Sequence, residues 1–351
     1  MNARLYSLDY LRGLCAFGIM IYHYFLWMDG AFTADQFMGR VGVYGVAIFY
    51  VLSGLTLYHV YERSFADRTF SIHRFFKKRI YRIFPLLWLA TIGAIVLSKK
   101  LPNMVDLILN LTGLFGFFKW DVYFSTGVWS IGNELVFYTL FPVVVLASMR
   151  KPLWMVCVGL ITAALHSYYA YFAISPWLKL EDQWHVYVNP LNQVAFFIFG
   201  CMIGHLTKYV NLSRLVSLTI ATLGIVLFIA TPAAGNATSL VQGNNRWIFT
   251  IASLLICIGA YKSSLQLPGM VHRFFKLLGE GSYSLYLLHP LVFSVCAFVF
   301  RFSDSEGIHF PRAIQMIIPA IISLVLSYFV YHYFELYFMR RGRYSSPGSP
   351  S

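Results

Sequence analysis

The sequence predicts an all-α integral membrane protein with about ten transmembrane helices and both termini in the cytoplasm. Two observations lead there. Of the 351 residues, 58% are apolar and only 12% are charged, about half the charge of an ordinary soluble domain. The apolar residues are also gathered into runs, and a helix needs about 20 such residues to cross a hydrocarbon core. This pattern excludes a disordered chain, a fibrous repeat, a disulfide scaffold and a soluble enzyme.

Ten runs fit, near residues 8–28, 41–61, 80–98, 128–148, 153–173, 189–206, 215–232, 247–262, 283–301 and 313–338. The first holds Arg12 and His23 and lacks a small-residue cleavage site, so it is expected to remain as a span rather than leave as a signal peptide. The stretch 104–118 is short and contains Asp106 and Asn110. Loop charge decides its place. If it does not span and the N-terminus is cytoplasmic, 19 of the 27 basic residues fall inside and 8 outside. If it spans, the split becomes 14 and 13. Cytoplasmic loops are enriched in Lys and Arg, so 104–118 is expected to be re-entrant or interfacial on the outer face. Residues 1–340 then form one transmembrane domain, followed by a disordered cytoplasmic tail at 341–351.

The net charge of +13 does not point to nucleic acid, because the basic residues sit between apolar runs as topology determinants do. All five cysteines lie inside apolar runs at irregular spacings, which indicates neither disulfides nor a zinc site. No His and carboxylate grouping has metal-ligand spacing.

Ionisable groups inside spans are costly and are functional suspects by default. Arg12 and His23 are eleven residues apart, close to three full helical turns, so they share one face about 16 Å apart along the axis. Snorkelling to headgroups is the competing reading for Arg12, and a bundle-interface hydrogen bond for His23. Glu134, in WSIGNELVFY, is the only acidic residue deep in an expected span. Its depth, roughly 9 Å from the outer boundary, matches that of His23 at roughly 8 Å. A carboxylate there could fix the tautomer of His23 and raise its basicity, or it could be structural. Lys77, Lys78, Arg79 and Arg82 form a cytoplasmic cluster. It suits a polyanion, and it also suits a topology signal or anionic lipid headgroups. Ser53-Gly54 would let a backbone or a thin ligand come close. His289 precedes a helix-kinking Pro290, and could be structural or line a pocket.

Taken in order, these segments resemble the acyltransferase-3 family of integral membrane acyltransferases. The matching stretches are Arg12 and His23 in an R-x10-H pattern, Phe49 to Gly54, KKRIYRIFP at Lys77 to Pro85, WSIGNELVFY at Trp129 to Tyr138, and SYSLYLLHP at Ser282 to Pro290. Tyr50 stands where a second Phe is common, and Glu335 lacks the Pro that often follows it. Only the tail follows the last span, so the likeness is to the membrane domain standing alone.

The resemblance implies a multi-pass protein of a bacterial inner membrane. It also implies transfer of an acyl group, most often acetyl, from cytoplasmic acyl-CoA to a hydroxyl of a cell-surface glycan such as a lipopolysaccharide O-antigen. Acyl-CoA is then a substrate, and no permanently bound cofactor or metal is expected. The expected partners are acyl-CoA, a glycan or lipid-linked saccharide acceptor, and membrane lipids. In this reading Arg79, Arg82 and Lys78 hold the donor's phosphates, Arg12 guides it further in, and Ser53 and His289 line its site. His23, oriented by Glu134, acts as general base on the acceptor or, as an alternative, carries the acyl group itself. A secondary transporter or flippase for a lipid-linked sugar or anion is the competing class, since it too would need intramembrane Arg, His and Glu.

Overall fold

The computed structural model describes residues 5–151 and 153–344. Among them the secondary structure is helical, without strands. All ten expected segments form helices, but they are unequal. Seven helices are long and apolar enough to cross a membrane, and an eighth is counted if the pair Glu181–Tyr187 and Pro190–Leu206, bent by 56°, is taken as one span.

The first three long helices are α1 (Tyr6–Asp29), α2 (Phe37–Ala66) and α3 (Ile72–Ser98). Two short helices follow, α4 (Met104–Thr112) and α5 (Phe115–Phe118), and they break at Gly113, whose φ is +74°. Only glycine adopts this conformation without strain. A Cβ there would sit 2.5 Å from the Leu135 side chain and 3.0 Å from Phe84. Phe84 lies roughly 18 Å into α3 at 1.5 Å per residue. The hairpin tip therefore packs against the middle of α3.

Next come α6 (Val128–Arg150), α7 (Leu153–Tyr168, extended by a π turn), α8 (Trp184–Tyr187) and α9 (Pro190–Leu206). Asn189 caps α9 by accepting from the Leu191 N–H at 2.9 Å, with Pro190 in the first turn. That late start leaves α9 only 17 residues long. Helix α10 (Arg214–Ala230) is equally short, and α11 (Gly243–Ser263) carries Arg246 and Lys262 near its ends. These two expected spans pass the run-length reading but fall short on length or apolarity. They pack against each other through Gly224 and Gly259, as small residues allow.

The chain closes with α12 (Gly269–Glu280), α13 (Ser282–Ser305), α14 (Arg312–Phe329), a π turn at Val330–Glu335, and α15 (Leu336–Tyr344). Helix continues past residue 341, where the disordered tail was expected to begin, and residues 345–351 lie outside the described residues. α2 is the axis of the bundle, buried on most of its length and packed against α1, α6, α9 and α11. Gly54 and Gly200 permit the closest approach, since a Cβ on Gly54 would lie 2.0 Å from the Phe197 carbonyl oxygen.

Candidate active site

Helices α1, α2, α3, α6 and α13 surround a cavity of about 190 Å³. Its wall holds three guanidinium groups, Arg12, Arg79 and Arg82, and one carboxylate, Glu134. Local sequence explains why these side chains turn inward. Ser71 caps α3 by accepting from the Arg74 N–H, which fixes the register of the basic stretch. Arg79 then falls on the stripe of Phe75, Ile83 and Leu86, all buried, with Arg82 one turn further, on the cavity wall but exposed. Lys78 lies about 100° away on the same helix and is exposed, outside the cavity wall.

Each cation is held differently. Arg12 donates to Thr56 Oγ1 at 2.7 Å and to the Leu52 carbonyl at 3.2 Å, with Asp9 3.8 Å away. Its guanidinium is therefore anchored to α2 rather than extended to headgroups. The Arg79 guanidinium stands over the rings of Phe75 and Tyr138, 5.8 and 5.6 Å from their centroids. Its Nε–H is buried without a hydrogen-bond partner among the described residues. A buried donor left unpaired costs about 1–3 kcal/mol, which the two ring faces offset in part.

Glu134 is engaged on the cavity wall. It accepts from Ser53 Oγ at 2.7 Å and from the Tyr138 hydroxyl. The pairing of Glu134 with His23 expected from their depths is replaced by a different one. His23 Nδ1 lies 3.0 Å from His289 Nε2, and His289 Nδ1 lies 3.0 Å from the Leu285 carbonyl oxygen. A carbonyl only accepts, so the His289 proton is on Nδ1 and its Nε2 is the acceptor. With both rings neutral, His23 donates from Nδ1 and keeps its Nε2 lone pair as a base. The orienting group is an imidazole instead of a carboxylate because α13, not α6, faces this part of α1. Tyr24 ties the same helices together, donating to the His289 carbonyl at 3.2 Å and bonding Ser323 Oγ at 2.7 Å.

The two clusters are separate but adjacent. Neither His23 nor His289 lines the cavity. Phe49, Ser130 and Tyr286 are on its wall, and the Tyr286 ring is 6.2 Å from that of His289. On its other side His23 stacks on Trp27 at 5.2 Å, near the C-terminal end of α1. Of the residues singled out in the sequence, Arg12, Ser53, Arg79, Arg82 and Glu134 meet in the cavity and His23 meets His289. The residues missed are Thr56, Tyr138 and Tyr286. Trp27 was missed too, although its place at i+4 from His23, like that of Tyr138 from Glu134, could have signalled the contact. Glu335, given no role, is buried and accepts from Ser284 Oγ. Together with the Tyr283 hydroxyl on the Ile83 carbonyl (2.9 Å), it fixes the first turn of α13. Among the described residues no group of three or more His, Cys, Asp or Glu could hold a metal ion.

Comparison with known proteins fits this geometry. Residues 5–332 match the family model described as an acyltransferase domain, Acyl_transf_3. The chain is 25% identical over 323 residues to O-acetyltransferase OatA of Staphylococcus aureus strain NCTC 8325 / PS 47, a match covering 82% of this chain and 50% of that one. It is 23% identical over 325 residues to a putative O-acetyltransferase of Staphylococcus aureus strain COL, covering 84% and 51%. The chain thus spans about half the length of the curated relatives it matches. No solved structure matches it at comparable significance. With the family model covering nearly all of its length, the chain belongs to the acyltransferase-3 family of membrane acyltransferases.

Proposed function

We propose that the chain moves an acyl group, acetyl in the first instance, from acyl-CoA to a hydroxyl of a cell-surface glycan acceptor. The donor's phosphates lie against Arg79 and Arg82, in the half of the bundle that loop charge assigns to the cytoplasm. Arg12 sits further along the donor's path, and the thioester points toward His23. The acceptor comes from the opposite end of the bundle, past Trp27. His23 Nε2 takes the proton of the acceptor hydroxyl as its oxygen bonds to the thioester carbonyl carbon. The tetrahedral intermediate then collapses, the carbon–sulfur bond breaks, and the CoA sulfur leaves with the proton returned by His23.

The observation that carries this reading is the hydrogen-bond chain from His23 through His289 to the Leu285 carbonyl. It leaves one basic nitrogen free beside the far end of a cation-lined cavity. General-base catalysis of this kind contributes about 10²–10⁴-fold. The names of the Staphylococcus relatives support acetyl as the group transferred and oxygen as its acceptor.

The test is turnover of labelled acetyl-CoA by purified protein in sealed vesicles, comparing wild type with His23→Ala and following label into water, protein and added glycan. Turnover that collapses in a folded His23→Ala variant is the expected result. Near-wild-type turnover in that variant overturns the mechanism.

A further inference from the structure

The cavity and the histidine pair are divided by two aromatic rings. Phe49, from α2, and Tyr286, from α13, meet edge to face with centroids 5.9 Å apart and an interplanar angle of 61°. Both line the cavity, and Tyr286 lies one helical turn before His289. The Tyr286 ring is pinned. Its hydroxyl donates to the Gly127 carbonyl at 3.1 Å and bonds Ser130 Oγ at 2.9 Å. Gly127 packs so tightly that a Cβ on it would fall 3.0 Å from the Tyr286 ring. Tyr50, next to Phe49, is held in turn by Asn133 Nδ2, which donates to its hydroxyl at 3.3 Å.

We infer that Phe49 and Tyr286 are the specificity-determining residues for the acyl group, excluding branched and bulky acyl thioesters and admitting small ones. The inference rests on the reading that acyl-CoA enters through the arginine-lined cavity. In that orientation the acyl group is the leading end of the donor. It meets the ring pair before its carbonyl reaches His23. A wall held by hydrogen bonds and close packing cannot yield to extra methyl groups as a flexible one would. Hydrophobic pockets discriminate by about 10–200-fold for one methylene, and a branched chain adds more than one.

The experiment measures kcat/KM for acetyl-CoA and isobutyryl-CoA in reconstituted full-length protein, as wild type, Phe49→Ala and Phe49→Leu. Wild type should prefer acetyl by about 100-fold, within the range for such pockets. Removing the Phe49 ring should lower that preference about tenfold, with Phe49→Leu between the two. The leucine variant keeps most of the side-chain volume and answers the question if the alanine variant does not fold. A preference unchanged within about twofold in either folded variant overturns the inference. If wild type turns over no acyl-CoA, the underlying reading falls and takes this one with it. If wild type is active through His23 while the preference stays fixed, only the ring-pair assignment fails.

Discussion

His23 Nδ1 lies 3.0 Å from His289 Nε2, and this distance assigns a donor and an acceptor that the sequence could not. His289 commits its own Nδ1–H to the Leu285 carbonyl, so His23 is held in the tautomer whose Nε2 is basic. The role resembles that of the third member of a catalytic triad, which orients the base without touching substrate.

On the proposed mechanism His289 is a positioning residue. His289→Ala should lower kcat by about 10²–10⁴-fold, the range general-base catalysis contributes, while the KM for acyl-CoA moves by no more than about threefold. His289→Gln, whose Oε1 can accept the same hydrogen bond, should recover part of the loss. Steady-state kinetics on the three proteins decide the matter. A large rise in KM with kcat preserved would place His289 in donor binding, as first expected.

Arg79 and Arg82 should behave in the opposite way. Hydrogen bonds to charged groups are worth about 1.5–3 kcal/mol, so either Arg→Gln change should raise the KM for acyl-CoA about tenfold or more. Lys78 lies outside the cavity wall, and Lys78→Gln should leave KM within about twofold, as for other exposed charges. Equal effects at Lys78 and Arg79 would reduce the cluster to a diffuse electrostatic patch.

The sequence made much of this site legible because helical spacing is rigid. The eleven-residue interval put Arg12 and His23 on one face, and the three-residue interval put Arg79 and Arg82 on another. Depth along the axis was less informative. Glu134 and His23 were expected at matching depths, but depth carries no azimuth, and α6 turns Glu134 toward Ser53 and Tyr138. Which helix faces which is set by contacts such as Gly54 on Gly200 and Gly13 on Gly279, and these are not written in any one segment. The same limit hid Thr56 and Tyr286, ordinary residues until a neighbouring helix gives them a partner. The count of ten spans rested on apolar runs and loop charge. It could not register that Pro190 shortens α9 or that α11 carries Arg246, buried against His166 and Asn192.

Glu134→Gln separates the two roles considered for that carboxylate. Its partners are Ser53 and Tyr138, not His23, so the change should alter donor KM and leave the pH dependence of kcat in place. A shift of the kcat profile toward that of a His23 variant would restore the direct pairing read from the sequence.

Arg40 is the clearest structural cation. Its guanidinium donates to the carbonyls of Ala34, Phe228, Ile229 and Thr231 at 2.6–3.0 Å, which closes the C-terminal end of α10. Carbonyls at a helix C-terminus lack intrahelical partners, and a cation there is also favoured by the helix dipole. Arg40→Met should destabilise the fold by about 3 kcal/mol, read as a lower unfolding temperature in detergent. The KM for acyl-CoA should stay near wild type in the folded fraction, because Arg40 is remote from the cavity wall.

Ser53 and Gly54 make the sharpest contrast, since adjacent residues on α2 face different neighbours. Ser53 lines the cavity and donates to Glu134. Gly54 meets the α9 backbone so closely that a Cβ would lie 2.0 Å from the Phe197 oxygen and 3.1 Å from the Cys201 nitrogen. Backbone atoms of a packed helix cannot rotate away as a side chain can. Gly54→Ala must therefore push α9 outward, and overpacking of this kind costs about 1–3 kcal/mol. Ser53→Ala removes the hydrogen bond to Glu134 and the 3.5 Å one with the Tyr138 hydroxyl but no volume that matters, so its unfolding temperature should stay near wild type while its turnover of acyl-CoA changes. Thermal unfolding and kinetics on the two variants should separate along that line. If Gly54→Ala were as stable as wild type, the α2–α9 contact would not be the close backbone approach described here.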